Sequence, residues 1–194
     1  TIFRQVLRLP AAHSVLLDRN GVHETRYWPL SFDEKHQQPF ATARDTFHNL
    51  IRDSVTAAVS DHQRVGAFLS GGTDSSTVAG MLCEVTGKPA PAYSIGFDAD
   101  GYDEMEYARL AAKHFGCEHH EYYVTPADLL ASIPAVAQHF DQPFGNSSAL
   151  PAYYCARNAQ ADGCTKMLAG DGGDELFGGN TRYATQRVFE YYHS

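Results

Sequence analysis

No apolar run in the sequence approaches the ~20 residues that a membrane-spanning helix needs, so no span is expected. A secretory signal is missing too. Thr1 to Pro10 alternate and carry Arg4 and Arg8 where such a signal would place an apolar block. Cysteine is sparse: Cys83, Cys117, Cys155 and Cys164 form no C-x-x-C pair and no Cys/His cluster with zinc-finger spacing. Reduced, buried thiols are expected rather than disulfides. Positive charge is short as well. Fifteen Lys and Arg face 23 Asp and Glu, a formal net charge of -8, which is a poor match for a nucleic acid backbone. Together these absences point to a cytoplasmic protein with no membrane or nucleic acid partner. Internal repeats and low-complexity tracts are absent.

What is present suits one α/β domain with a real core and a short appendage: 194 residues, 43% hydrophobic and 20% charged. The chain begins at Thr1 without a Met and stops in a helical stretch at Ser194, which reads as a fragment of a larger protein. Residues 1–30 look β-like. Thr1 to Leu9 and Ser14 to Asp18 are strand-like, Asn20-Gly21 is a strong hairpin-turn signal, and Val22 to Trp28 would be the returning strand. Residues 31–40 read as a linker. A helix from about Thr42 to Ser60 follows, with Phe47, Leu50, Ile51, Val55, Ala58 and Val59 on one stripe.

Beyond it, strands and helices alternate. Val65 to Leu69 reads as a buried parallel strand, and Ala92 to Phe97, His119 to Val124 and Thr165 to Ala169 read as further strands. Helices are predicted from Ser75 to Thr86, stopped by Gly87, and from Asp103 to Phe115, with Asp103 and Glu106 as a capping box and Gly116 as the stop. Another opens with Thr125 as cap and Pro126 in its first turn, and Pro134 is expected to break it in two. A last one runs from Ser148 to Ala161. Such alternation predicts a doubly wound parallel sheet preceded by a short β-hairpin element.

In such sheets ligands bind beyond the carboxyl ends of the strands. Two glycine-rich segments fall there: Ser70-Gly71-Gly72-Thr73-Asp74-Ser75-Ser76, and Gly170-Asp171-Gly172-Gly173-Asp174-Glu175. Gly71 and Gly72 let backbone N–H groups approach an anion, the following helix points its positive end there, and Ser70, Ser75 and Ser76 add hydroxyls. All of this suits a phosphate. Asp74 repels one unless a hard cation bridges them, and magnesium is the usual ion beside phosphates. Asp174 could supply the opposing carboxylate. No lysine follows the glycines as in a Walker loop, which argues against γ-phosphate hydrolysis or kinase chemistry.

VGAFLSGGTDSS, Val65 to Ser76, resembles the PP-loop of N-type ATP pyrophosphatases, written S-G-G-x-D-S. LAGDGGDELFGG, Leu168 to Gly179, resembles the second hallmark of asparagine synthetases, S-G-E-G-x-D-E-x-F-G-G. SIGF (Ser94 to Phe97), the DEMEYARLAAKHFG run with EHHE, and RLPAAH and RYWPL near the start are similar to the same family. The resemblance implies an adenine nucleotide alpha hydrolase-like fold. It implies that residues 1–38 are the end of a glutaminase-type β domain plus linker, and that 39–194 are the first part of a synthetase domain cut short. It implies ATP and magnesium as cofactors. Ser70, Gly71, Gly72, Asp74, Ser75 and Ser76 would hold pyrophosphate, and Asp74 and Asp174 the metal. Leu69, Ile95, Ala169 and Gly170 would contact adenosine, and Asp171 would assist acyl-adenylate formation.

The implied reaction amidates a small carboxylate, aspartate in the type enzyme, with ammonia delivered from a glutaminase domain absent here. A homodimer fits the same picture, and this fragment alone is expected to be inactive. Two departures bear on the acceptor: Ala169 stands where the family has Ser, and Asp171 where it has Glu. Relatives acting on other carboxylates, such as β-lactam synthetases, lasso-peptide cyclases and sugar-amidating enzymes, stay open, as do a non-catalytic ATP-binding module and a tRNA-modifying PP-loop enzyme.

Other residues invite weaker readings. His119 and His120 are adjacent, so on a strand they face opposite ways and do not readily share an ion; a structural role is expected for both. Tyr153, Tyr154, Tyr191 and Tyr192 are expected to pack rather than to stack on bases. Asp141, in DQPFGNSS, is a weak candidate for the acceptor site.

Overall fold

A hairpin of β1 (His13–Asp18) and β2 (Gly21–Arg26) comes first in the computed structural model, which describes residues 1–29, 31, 38–59, 64–97, 104–143, 145–146 and 148–193. Then follow α1 (Phe40–Val59), β3 (Val65–Phe68), α2 (Thr73–Thr86), β4 (Pro91–Phe97), α3 (Met105–Phe115) and β5 (Glu118–Val124). The chain continues through α4 (Pro126–Gln138), α5 (Ala149–Ala161), β6 (Lys166–Leu168), α6 (Gly173–Phe177) and α7 (Thr181–His193).

Strands β5, β4, β3 and β6 lie side by side in that order, and every pairing is parallel. The two central strands, β3 and β4, are largely buried because both of their faces are covered. Ala67, Ala92 and Leu168 are cross-strand partners and turn one way, toward Val55 of α1, Leu82 of α2 and Ala108 of α3. The next residue along β3 and β4, and the preceding one on β6, turn the other way. Phe68, Tyr93 and Met167 meet Cys155 and Ala159 of α5. Side-chain alternation along each strand thus builds two half-cores, one under α1–α3 and one under α5. This is the doubly wound parallel sheet expected from the alternation. From β3 the chain steps outward to β4 and β5, then crosses back to place β6 on the other side of β3. The strand order therefore reverses between β3 and β6.

Helix ends follow local chemistry. Gly87 and Gly116 close α2 and α3 in the left-handed conformation. Thr125 opens α4 with a capping box: its hydroxyl accepts from the Asp128 N–H at 3.2 Å, while its own N–H donates to the Asp128 carboxylate at 2.9 Å. The expected cap Asp103 lies outside the described residues.

Four expectations need correcting. Thr1 to Leu9 form no strand; they run without a partner strand and turn at Phe3–Val6. The hairpin pairs Asp18 with Gly21, so its two-residue loop is Arg19-Asn20 and Gly21 begins β2. The Asp18 carboxylate explains the shift, because it accepts the Asn20 N–H at 2.7 Å and closes the turn one residue early. Pro134 does not split α4; the carbonyl four residues back belongs to exposed Leu130, where water can replace the missing donor. On α1 only Ile51, Val55 and Val59 reach the core, a stripe of four-residue spacing, while Leu50 stays exposed and Phe47 packs edge-on against Phe177 at 5.3 Å. Cysteines behave as expected: all four are free, Cys155 and Cys164 buried and the other two half-buried. No helix among the described residues is long and apolar enough to cross a membrane.

Candidate active site

The point where strand order reverses leaves a crevice between the two flanking loops. One loop leaves β3 and enters α2. Its serines are spent on the loop itself. Ser75 Oγ accepts the Ser70 N–H at 3.1 Å and lies 2.9 Å from Ser70 Oγ, which in turn accepts the Gly72 N–H at 3.3 Å. Gly72, the N-cap of α2, makes no side-chain capping bond. The positive end of α2 is therefore left without a side-chain cap. Gly71 sits at φ +83, and a Cβ there would lie 2.5 Å from the backbone of Tyr107 and Ala108. The tight loop thus depends on glycine twice over, for its conformation and for its close approach to α3.

The second loop leaves β6 and enters α6. It is shaped around Asp74. A Cβ on Gly173 would stand 2.2 Å from Asp74 Oδ2, and one on Gly170 would stand 2.8 Å from Asp74 Cβ. The first carboxylate therefore rests directly on the second glycine-rich turn. The Asp174 carboxylate rests in the same way on Gly179, whose Cβ would lie 2.2 Å from Oδ1.

A cleft of about 560 Å³ opens between the loops, within the size range of small-molecule sites. Of the residues singled out in the sequence, Leu69, Ser70, Asp74, Ser75, Ile95, Ala169, Gly170, Asp171 and Asp174 line it. Gly71, Gly72 and Ser76 are not among its lining residues. Ser76 Oγ is buried without a hydrogen-bond partner. Asp141 is elsewhere, in a groove of about 610 Å³ with Phe3 and residues of α4 and α5.

The asparagine synthase family model matches residues 46–193. The chain belongs to that family. It is 35% identical over 182 residues to a putative glutamine-hydrolysing asparagine synthetase 2 of Methanocaldococcus jannaschii, covering 92% of this chain and 35% of that protein. It is 33% identical over 150 residues to glutamine-hydrolysing asparagine synthetase 1 of Bacillus subtilis, covering 75% of this chain and 23% of that protein. The chain thus spans about a third or less of the length of these curated relatives. Among solved structures, an NH3-dependent NAD synthetase from Campylobacter jejuni is similar at 13% identity and a TM-score of 0.48, covering 69% of this chain and 59% of that one; it adds nothing to the family assignment.

Seen as an asparagine synthase family member, the chain has a cleft whose donor set can be tested against magnesium. Among the described residues no three His, Cys, Asp or Glu side chains gather as a metal cage. Two carboxylates beside an open cleft are instead the protein share expected when magnesium takes its other ligands from phosphate and water. The residues fit that mode of binding and no all-protein one.

The sequence reading missed several cleft residues. Tyr93, Ser94 and Phe97 come from β4, Glu104 and Met105 from the start of α3, and Pro151 from α5. Only the parallel order brings α3 and α5 to the same strand ends, so no local signal marks them. Ser94 was legible within SIGF, but its partner was not. His119 Nε2 lies 2.7 Å from Ser94 Oγ, and His119 Nδ1 lies 3.4 Å from Glu121. Arg109 grips Glu121 side-on, donating from Nε and Nη2 to its two carboxylate oxygens at 2.8 and 2.5 Å, and so holds its carboxyl below the usual range. Burial pushes the His119 imidazole below its ordinary value. His120 faces the other way, stacked on Tyr93 at 4.7 Å and paired with Asp162 at 3.2 Å. Tyr153 and Tyr154 pack: their rings meet edge-on at 5.4 Å, and Tyr154 is buried and donates to the Asp128 carbonyl at 2.6 Å, whereas the side chains of Tyr191 and Tyr192 lie outside the described residues.

Proposed function

We propose that the cleft binds ATP with magnesium and that the protein carrying this chain forms an amide through an acyl-adenylate, as asparagine synthetases do. One observation carries the reading: Asp74, on the loop after β3, rests on Gly170 and Gly173 of the loop after β6, at the reversal point of a parallel sheet. An uncapped helix end, two glycine-rich turns and two acids beside one cleft favour a polyphosphate accompanied by a cation.

In this reading the pyrophosphate lies over Ser70 to Ser76. Backbone N–H groups of Gly71 and of the first turn of α2, Thr73 to Ser75, would face it, the Gly72 N–H being held by Ser70 Oγ, and the helix end would stabilise the charge that grows on it as it departs. Asp74 and Asp174 are the residues that would hold magnesium, which when bound would neutralise the same charge. Leu69, Ile95, Ala169 and Gly170 bound the adenosine side, mainly with backbone and apolar atoms. Asp171 stands where the acceptor carboxylate meets the α-phosphate. The acceptor oxygen bonds to phosphorus and pyrophosphate leaves. Ammonia then attacks the acyl carbon and AMP leaves. Aspartate is the proposed acceptor, and a glutaminase domain the proposed ammonia source. Residues 1–38 are proposed as the end of that β domain and its linker. The exposure of Val15, Leu16, Leu17 and Val22 supports this, because such a hairpin needs cover from elsewhere.

The test is ATP–pyrophosphate exchange by the whole protein with aspartate and a panel of other carboxylic acids. Magnesium- and acid-dependent exchange is expected. Binding of ATP with no exchange for any acid would reduce the site to a nucleotide-binding module. Asp74→Ala should abolish magnesium-dependent ATP binding in titration calorimetry, and an unchanged affinity would remove Asp74 from the site.

A further inference from the structure

The peptide joining Leu69 to Ser70 is the hinge between β3 and the glycine turn, and side chains hold it on both sides. Its N–H donates to Ser75 Oγ at 3.1 Å. Its carbonyl accepts from Ser94 Oγ at 2.5 Å. The Leu69 N–H still belongs to the sheet, donating to the Tyr93 carbonyl at 2.9 Å, so the change from ladder to loop happens at this peptide.

A serine hydroxyl has one proton. Ser94 gives it to Leu69, so the second short contact, His119 Nε2 at 2.7 Å, must be a donor to the serine oxygen. That assigns the proton of a neutral ring to Nε2 and leaves Nδ1 facing Glu121 at 3.4 Å. An unprotonated nitrogen beside a carboxylate is tolerable here because Arg109 occupies both oxygens of Glu121. Arg109 follows Tyr107 and Ala108 on α3, the two residues against which Gly71 packs. The chain Arg109–Glu121–His119–Ser94–Leu69 therefore runs from α3 through β5 and β4 to the end of β3, and both of its ends border the same loop.

We propose that His119 is a positioning residue for the glycine turn: through the Ser94 hydroxyl it fixes the Leu69 carbonyl, and so sets the direction in which Ser70-Gly71-Gly72 leaves the sheet. The residue touches no ligand in this scheme. Its value to nucleotide binding rests on the reading of Ser70 to Ser76 as a phosphate cradle, whereas its effect on the loop does not.

The experiment compares the whole protein with His119→Leu, His119→Gln and Ser94→Ala. Glutamine keeps an N–H donor at the end of a side chain of similar reach; leucine keeps bulk alone. Amide hydrogen exchange, followed residue by residue without nucleotide, should speed up about tenfold at Ser70 and Gly72, the loop amides bonded to Ser75 and Ser70, in His119→Leu, roughly the worth of one lost hydrogen bond. It should recover toward wild type in His119→Gln. The KM for ATP in pyrophosphate exchange should rise by a similar factor with kcat within about twofold, since the loop binds the nucleotide before any bond changes. The 15N shifts of the wild-type ring should show the proton on Nε2. Loop exchange rates matching wild type in His119→Leu, glutamine no better than leucine, or acceleration spread evenly over β4 and β5 would each overturn the proposal. If His119→Leu does not fold, Ser94→Ala carries the same comparison with a smaller packing change. A wild-type protein that shows no response to ATP refutes the phosphate reading alone, and loop exchange still decides the role of His119.

Discussion

Two β regions of this chain have similar side chains and opposite fates. β4 and the hairpin strands β1 and β2 are six or seven residues long and carry branched or aromatic side chains. Yet Tyr93 on β4 is 2% exposed and Leu17 on β1 is 75% exposed. Their apolar side chains do not separate them, although β1 and β2 also carry Asp18, Glu24 and Arg26 and β4 carries no charge. Cover does: helices lie on both faces of the parallel sheet, whereas neither face of the hairpin is covered among the described residues. The hairpin is held by its ladder and by local contacts such as Asp18 with Asn20 and with His23. Its apolar side chains contribute little to folding where they remain in water.

The sharpest way to break this contrast is substitution at matched leucines. Leu82→Ala, in the core under α2, should cost about 2–5 kcal/mol of unfolding free energy in a denaturant titration. A cost under 1 kcal/mol would mean that the first half-core is not packed as described. On α5, Tyr154→Phe should cost about 1 kcal/mol, because it removes the hydroxyl bonded to the Asp128 carbonyl of α4 at 2.6 Å. Wild-type stability would show that this bond contributes nothing.

Acid gives a graded version of the test. His119 is held below its ordinary 6.5, so the unfolded chain takes up the proton first. Its contribution to stability is complete above that pH and is lost as pH falls toward the lowered value. Glu121, lowered by Arg109, and Asp128, lowered by hydrogen bonds from Thr125, behave with the same sign below their ordinary 4.5 and 3.8. The urea midpoint should therefore drop first below about pH 6.5 and again in stronger acid. His119→Gln should remove the first drop, and a wild-type midpoint level from pH 7.5 to 5 would contradict it. The smallest effect belongs to the hairpin: Leu17→Ser should change stability by no more than about 0.5 kcal/mol. A loss above about 2 kcal/mol in the whole protein would show that this face is covered there.

The alternation of strands and helices, the left-handed stops at Gly87 and Gly116 and the cap at Thr125 were all legible in the sequence, because each is decided by residues within a turn or two of one another. The two glycine-rich segments were legible for the same reason: a sharp turn after an apolar run needs small residues wherever the strand ends. Local rules also misled where a neighbour outweighed them. Asp18 moved the hairpin turn, and α4 passes Pro134 where Leu130, four residues back, is exposed.

What no window of the sequence contains is the order β5-β4-β3-β6. That order places β6 beside β3, although about a hundred residues separate them along the chain, and so lays Asp74 on Gly173 and opens the cleft. The same order hides the link from His119 through Ser94 to Leu69, which spans three neighbouring strands. Sequence periodicity reports which residues need burial, because that need arises within each element; which elements meet depends on how two half-cores close over a common sheet, and only the folded chain decides it.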